Sequence, residues 1–179
     1  MTEAVNPQEC ILLSPNEDET VWLRKLGIRF MIGGEQTEGN FSLVEHPIKP
    51  RALAAPMHTH RHEDEYTYVL EGEIGVQLGE EVRVAQPGDL VFKPRGVPHA
   101  FWNATDTMAR ALEIISPAGF ERYFAELAPL FPPANQGPLD EEAVGAARAK
   151  YGLTMDLGSI PVLAERYGLV VDAPPPSGR

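Results

Sequence analysis

The chain has 179 residues and a mass of 19.7 kDa, a length that suits one domain or one domain with an extension. Its 43% hydrophobic residues can build a core, and its net charge of −11 repels phosphate backbones and anionic lipid. That balance excludes nucleic acid and membrane surfaces as expected partners, and the lone Cys10 excludes an internal disulfide and a multi-cysteine metal site. No run approaches the ~18 apolar residues of a membrane helix. The opening residues MTEAVNPQEC show neither a basic nor an apolar region of a secretory signal. A soluble cytoplasmic protein is the expectation.

In chain order, residues 1–19 read as an N-terminal arm. From residue 20 to 117, glycine and proline break the sequence into short runs. Strands are predicted at Ile28–Ile32, Phe41–His46, Glu65–Leu70, Ile74–Leu78, Glu81–Ala85, Leu90–Lys93, Ala100–Asn103 and Ala111–Ile115. Ile74, Val76 and Leu78, then Val82 and Val84, alternate with other residues as a sheet with one buried face requires. Gly33 to Gly39 lacks the Gly-Lys-Ser/Thr of a phosphate loop and reads as a hairpin turn. No crossover helix fits between neighbouring runs, so the strands should be antiparallel, in a sandwich or barrel.

After Pro117 the period changes. Phe120, Tyr123, Phe124 and Leu127 mark an amphipathic helix. Asp140 can cap a second, with Glu141 and Glu142 in its first turn and Gly152 at its end. A third is expected around Pro161–Tyr167. Pro132, Pro133, Gly137 and Pro138 read as a linker. The expected organisation is thus arm 1–19, barrel 20–117, helical extension 118–170 and tail 171–179.

The chemistry concentrates in histidine. Three of the five histidines fall in His58-Thr59-His60-Arg61-His62, followed by Glu63-Asp64-Glu65. On a strand, His58 and His60 face the same way. Imidazole nitrogen with carboxylate oxygen suits Zn, Fe, Mn, Ni, Co or Cu. His62 continues the alternation and is an alternative to Glu65. His46 reads as a surface or satisfied core histidine, and Cys10 has no histidine neighbour in sequence that would make it a nucleophile.

The pattern His58-x-His60-x4-Glu65-x6-Gly72 precedes Gly88-x5-Pro94-x-Gly96-x2-His99-x3-Asn103. These two stretches resemble both motifs of the cupin superfamily at every position but the first glycine, which Leu53 replaces. The resemblance implies an all-β, double-stranded β-helix (jelly-roll) barrel over about residues 20–117, followed by the helical extension. It also implies metal ligation by His58, His60, Glu65 and His99. One divalent transition metal so held keeps one to three coordination positions open, as a catalytic site needs. Its identity is not fixed by the ligands, because selectivity follows availability.

Gly33-Gly34-Glu35-Gln36-Thr37 and Gly119-Phe120-Glu121-Arg122-Tyr123-Phe124 resemble the flanks of single-domain bacterial quercetin dioxygenases. That likeness implies a dioxygenase acting with O2 on a flavonol, with Glu65 as both ligand and base. If Glu65 and His99 face inward, so do Thr67, Val69, Phe101 and Asn103, and Thr67 with Phe101 would flank the metal as pocket residues. Leu90 and Phe92 are expected in the core. Arg61, Lys93 and Arg95 are expected in turns, away from the site, which favours an aromatic or enol substrate over a sugar phosphate. Two alternatives stand beside this reading: a non-catalytic metal- or small-molecule-binding protein, and a metal-dependent isomerase or decarboxylase of a keto or enol acid. A homodimer is expected, with Trp22 and the strand beginning at Ile28 as its edge.

Overall fold

The structure is a computed structural model describing residues 10–14, 20–131 and 139–171. Most of the expected arm, the linker residues Pro132, Pro133, Gly137 and Pro138, and the tail from residue 172 lie outside the described residues.

Ten strands come first: β1 (Val21–Leu23), β2 (Leu26–Ile32), β3 (Ser42–Ile48), β4 (Ala52–His60), β5 (Asp64–Glu71), β6 (Ile74–Leu78), β7 (Glu81–Ala85), β8 (Leu90–Lys93), β9 (His99–Asn103) and β10 (Ala109–Ser116). Helix α1 (Glu121–Leu127) runs into a single 3-10 turn at Ala128–Leu130. Helix α2 (Glu141–Lys150), strand β11 (Leu153–Met155) and helix α3 (Ser159–Tyr167) follow. The strands form a six-stranded sheet, β1-β2-β3-β10-β5-β8, and a five-stranded sheet, β11-β4-β9-β6-β7. Every pairing is antiparallel, and the two sheets make a double-stranded β-helix.

Alternation positions the interior. On β5, Glu65, Thr67 and Val69 are buried; on β10, Ala109, Ala111, Glu113 and Ile115 are. Their faces meet Ile28, Val44, Ile48, Ile74, Val76 and Phe101 in one core. On β8 the inward parity belongs to Val91 and Lys93, so Leu90 and Phe92 face out, 59% and 48% exposed. The expectation that these two fill the core is corrected. Lys93 is likewise not a turn residue: it ends β8 opposite Glu65 and is 1% exposed.

Three strands lie outside the sequence expectation. β4 carries Ala52–Met57, a stretch without alternation and with Pro56 inside it. β1 and β11 have only three residues each. Because β1 covers β2, the strand containing Ile28 is internal and Ile28 is fully buried, which corrects its expected place at an edge.

The helices are tied to the barrel by apolar faces. Phe120, Tyr123, Phe124 and Leu127 of the α1 region join the main core. Asp140 caps α2 by accepting from Ala143 N at 2.9 Å. Helix α3 lies on the outer face of the five-stranded sheet, where Tyr167 stacks on Trp102 with ring centroids 4.2 Å apart. Gly75 permits this: a Cβ there would sit 2.1 Å from Trp102 Nε1. No helix among the described residues is long and apolar enough to cross a membrane.

Candidate metal centre

Two neighbouring strands and one turn bring the histidines together. His58 and His60 end β4 on one face, and β9 begins at His99, paired with His58. The preceding turn is fixed by Gly96, whose N–H donates to His60 O at 2.8 Å and whose φ is 76°. Glu65 reaches in from β5. The ligand atoms of His58, His60, Glu65 and His99 all lie within 4.8 Å of one another, and all four residues are buried. His62 is exposed and stands outside this cluster; Cys10 is exposed.

Hydrogen bonds set which imidazole nitrogen faces inward. His58 Nδ1 lies 2.8 Å from Pro56 O, and His99 Nδ1 lies 3.0 Å from Val97 O. A carbonyl only accepts, so both rings carry their proton on Nδ1 and offer a bare Nε2. His60 Nδ1 faces the buried Glu63 carboxylate at 3.6 Å, where both atoms lack a hydrogen bond. Metal-binding histidines are held in this way through the second ring nitrogen.

The inner atoms then crowd together. His99 Nε2 is 3.1 Å from Glu65 Oε2, and His60 Nε2 is 3.3 Å from Glu65 Oε1. Burial lowers the pKa of His58 well below its ordinary value and lowers that of His99, so both rings favour the neutral form. For His99 the Nε2 lone pair therefore points at a carboxylate oxygen. Such a set of facing lone pairs is relieved by a cation between them, so the residues fit a divalent transition ion.

A second charge cluster adjoins the first. Lys93 Nζ lies 2.9 Å from Glu65 Oε2 and 3.0 Å from Glu113 Oε1, while Thr67 Oγ1 donates to Glu113 Oε2 at 2.8 Å. The Phe101 ring centre is 4.9 Å from the ammonium. Burial would raise the Glu65 carboxyl, but the charge of Lys93 is the largest influence against it, and the group lies well below the usual carboxylate range. Burial would lower Lys93, but Glu113 and Glu65 raise it. Glu113, raised chiefly by burial, reaches about 7.

The cluster opens onto a cavity of about 680 Å³. His58, His60, Glu65, Lys93 and Phe101 share its wall with aromatic residues of the helical extension, including Phe120 and Phe124. Phe120 meets the His60 ring at 4.3 Å, and Phe124 meets His46 at 5.4 Å. His46 is buried and hydrogen-bonded through Nδ1 to Gly27 O at 2.9 Å. Phe101 thus stands where parity places it, whereas Thr67 is buried against Glu113 and not on the cavity wall. Asn103 faces in but closes the barrel end through Ile48 O, Lys49 O and Thr107 O.

Sequence reasoning missed Glu63, Lys93 and Glu113. The parity of β10 already placed Glu113 with Ala111 and Ile115, and the parity of β8 placed Lys93 with Val91. The two flanking stretches, Gly33–Thr37 and Gly119–Phe124, do meet. Glu121 accepts from Gly34 N at 3.2 Å and from Gly119 N at 2.6 Å, and Arg122 pairs with Glu35 at 2.7 Å.

Residues 45–115 match the family described as Cupin domain. No protein of curated function matches the sequence. Among solved structures, KdgF from Halomonas sp. superposes with a TM-score of 0.57 at 17% identity, over 64% of this chain and 99% of that one. The polyketide cyclase RemF from Streptomyces resistomycificus gives 0.54 at 24% identity, over 60% and 80%. A predicted oxalate decarboxylase from Thermotoga maritima gives 0.55 at 18% identity, over 60% and 99%. At these identities the likeness concerns the fold.

Proposed function

We propose that the chain, whose residues 45–115 match a cupin domain, is a metal-dependent dioxygenase, cleaving a flavonol-like or other aromatic or enol substrate with O2. The observation that carries the reading is the convergence of three imidazoles and one carboxylate, with His58, His60 and Glu65 on the wall of an aromatic-rich cavity. His58, His60, Glu65 and His99 would hold the ion. A divalent transition ion held there would supply Lewis acidity to a substrate hydroxyl.

The chain's own residues do the rest. Phe101 and Phe120 present flat apolar surface to an aromatic ring, and α1 packs its apolar face onto the barrel core beside them. Glu65 takes the substrate's hydroxyl proton. Lys93 keeps that carboxylate ionised, so it is a weak base, and a weak base suffices for an acidified hydroxyl. We place the enzyme in the cytoplasm as a homodimer. The open edge strand β8, with Leu90 and Phe92 exposed beside Tyr68 and Leu70, supports pairing with a second copy. A monomer in light scattering at micromolar concentration would contradict it.

One observation favours a second reading. The ammonium of Lys93 beside Glu65 suits a metal-dependent isomerase or decarboxylase of a keto or enol acid. Oxygen uptake separates the two, measured with quercetin and related flavonols on protein reconstituted separately with Mn, Fe, Co, Ni, Cu and Zn. Uptake that falls by roughly 10²-fold in Glu65→Gln, with metal partly retained, supports the dioxygenase with Glu65 as base. No uptake with any pairing removes the dioxygenase. Turnover of an acid without O2 then supports the second reading, and neither leaves a binding protein.

A further inference from the structure

We infer that Lys93 is the anion-recognising residue of the cavity, its ammonium receiving a carboxylate or enolate oxygen of a monoanionic substrate beside Glu65. This inference rests on reading the histidine cluster as a metal centre, and it names the substrate class that centre takes.

The position of Lys93 is hard to account for by stability. A buried ammonium loses its hydration, and replacing a buried ion pair by apolar residues of similar volume is often neutral or stabilising. Lys93 is 1% exposed, on a strand whose other inward residue is Val91. A methionine there would satisfy the same packing without stranding a charge. What it would not supply is a positive group on the cavity wall beside Glu65.

Charge counting gives that group a task. Lys93 stands between two carboxylates, Glu65 at 2.9 Å and Glu113 at 3.0 Å. Once Glu65 serves a divalent ion, its negative charge is committed to that ion. With neutral imidazoles, the ion, Glu65, Glu113 and Lys93 sum to one positive charge. Arg24, Lys25 and Arg148, set against Glu141 on the same wall, add to it, and Glu63, behind His60 and off that wall, offsets part of it. That charge faces a low-dielectric cavity, where a counter-ion is strongly favoured.

The hydrogen-bond geometry leaves room for the counter-ion. An ammonium has three donors, and Lys93 has two carboxylate neighbours. Glu65 and Glu113 can take one donor each, which leaves the third for a ligand oxygen. The Phe101 ring, 4.9 Å from Nζ, belongs to the same wall and would lie along the apolar body of the ligand. The fitting ligand is therefore a flat or compact organic monoanion with an apolar body. Deprotonated enols and aromatic or keto acids belong to this class, whereas neutral sugars do not.

The pair Lys93 and Glu113 gives opposite signs that a merely structural ion pair does not. Removing the ammonium should weaken anion binding; removing its competing carboxylate should strengthen it. The experiment is calorimetric titration of Zn-loaded protein with benzoate and with its uncharged analogue benzamide, with zinc content and melting temperature read in parallel. Wild type should bind benzoate about tenfold or more tighter than benzamide, the scale of one charged hydrogen bond. Lys93→Met should lose that preference while keeping its zinc, and Glu113→Gln should tighten benzoate several-fold.

Equal affinity for the two probes, no benzoate binding by about 10 mM, a preference that survives Lys93→Met, or weaker benzoate binding in Glu113→Gln would each overturn the inference. If Lys93→Met does not fold, the Glu113→Gln direction decides alone. Protein that takes zinc but shows no preference overturns this inference and leaves the metal centre standing. Protein that takes no zinc overturns both.

Discussion

Lys93 Nζ lies 2.9 Å from Glu65 Oε2, so the carboxylate placed to hold a metal is also the counter-ion of a buried ammonium. The two residues face each other across neighbouring strands β5 and β8, in direct register. Glu65 is thereby kept ionised, because the charge of Lys93 opposes the burial that would protonate it. The site is ready for a cation before one arrives.

Glu63 should tune the centre without belonging to it. Its carboxylate is the only group facing His60 Nδ1 among the described contacts, at 3.6 Å. Glu63→Ala removes that partner and frees the ring to rotate. Metal affinity should fall about 10- to 100-fold, the usual effect of losing such an orienting group, with the stoichiometry at saturation unchanged. Competition against a chelator reads the affinity; an unchanged value would show that His60 is oriented by packing against Phe120 alone.

Buried His46 should make metal-free protein acid-sensitive. Burial lowers its pKa from 6.5 to about 4. A histidine depressed in this way stabilises the fold when neutral, so its contribution is full above about pH 6.5 and is lost as pH falls through about 4. The shift corresponds to about 3 kcal/mol. Urea denaturation of metal-free protein at several pH values should show a steeper loss in wild type than in His46→Gln. Parallel slopes would remove His46 as the cause.

Much of the site was legible because its ligands sit at spacings the barrel imposes. His58 and His60 share a strand face, Glu65 follows after one turn, and His99 is delivered by the Gly96 turn. Lys93 was not legible, because a lysine next to Pro94 looks like a turn residue and its burial depends on Glu113, twenty positions away in sequence. Leu90 and Phe92 failed for the same reason: hydrophobicity suggested the core, while the parity that seats Lys93 inward turns both outward. Strand β4 escaped because Ala54, Ala55 and Pro56 carry no alternation, although its pairing with β9 aligns His58 with His99. β11 is set by the partner strand, lying beside His58 and His60 through Met155 and Leu153, which three residues alone cannot announce.

Gly75 should tolerate no side chain. Its partner across β6 and β9 is Trp102, whose indole covers the glycine and stacks on Tyr167 of α3. A methyl group would overlap the indole at 2.1 Å, so the ring must move and release α3. Gly75→Ala should lower stability by about 1–3 kcal/mol, measured by denaturant midpoint, with a matching loss of Trp102 fluorescence burial. An unchanged midpoint would mean the indole has another place to pack.

The most direct test of the metal centre is elemental analysis of purified wild type beside His58→Ala and His99→Ala, with circular dichroism confirming that each barrel folds. The account predicts about one equivalent of a divalent transition metal in wild type and a near-complete loss in both folded variants. Unchanged metal content in both variants would contradict it.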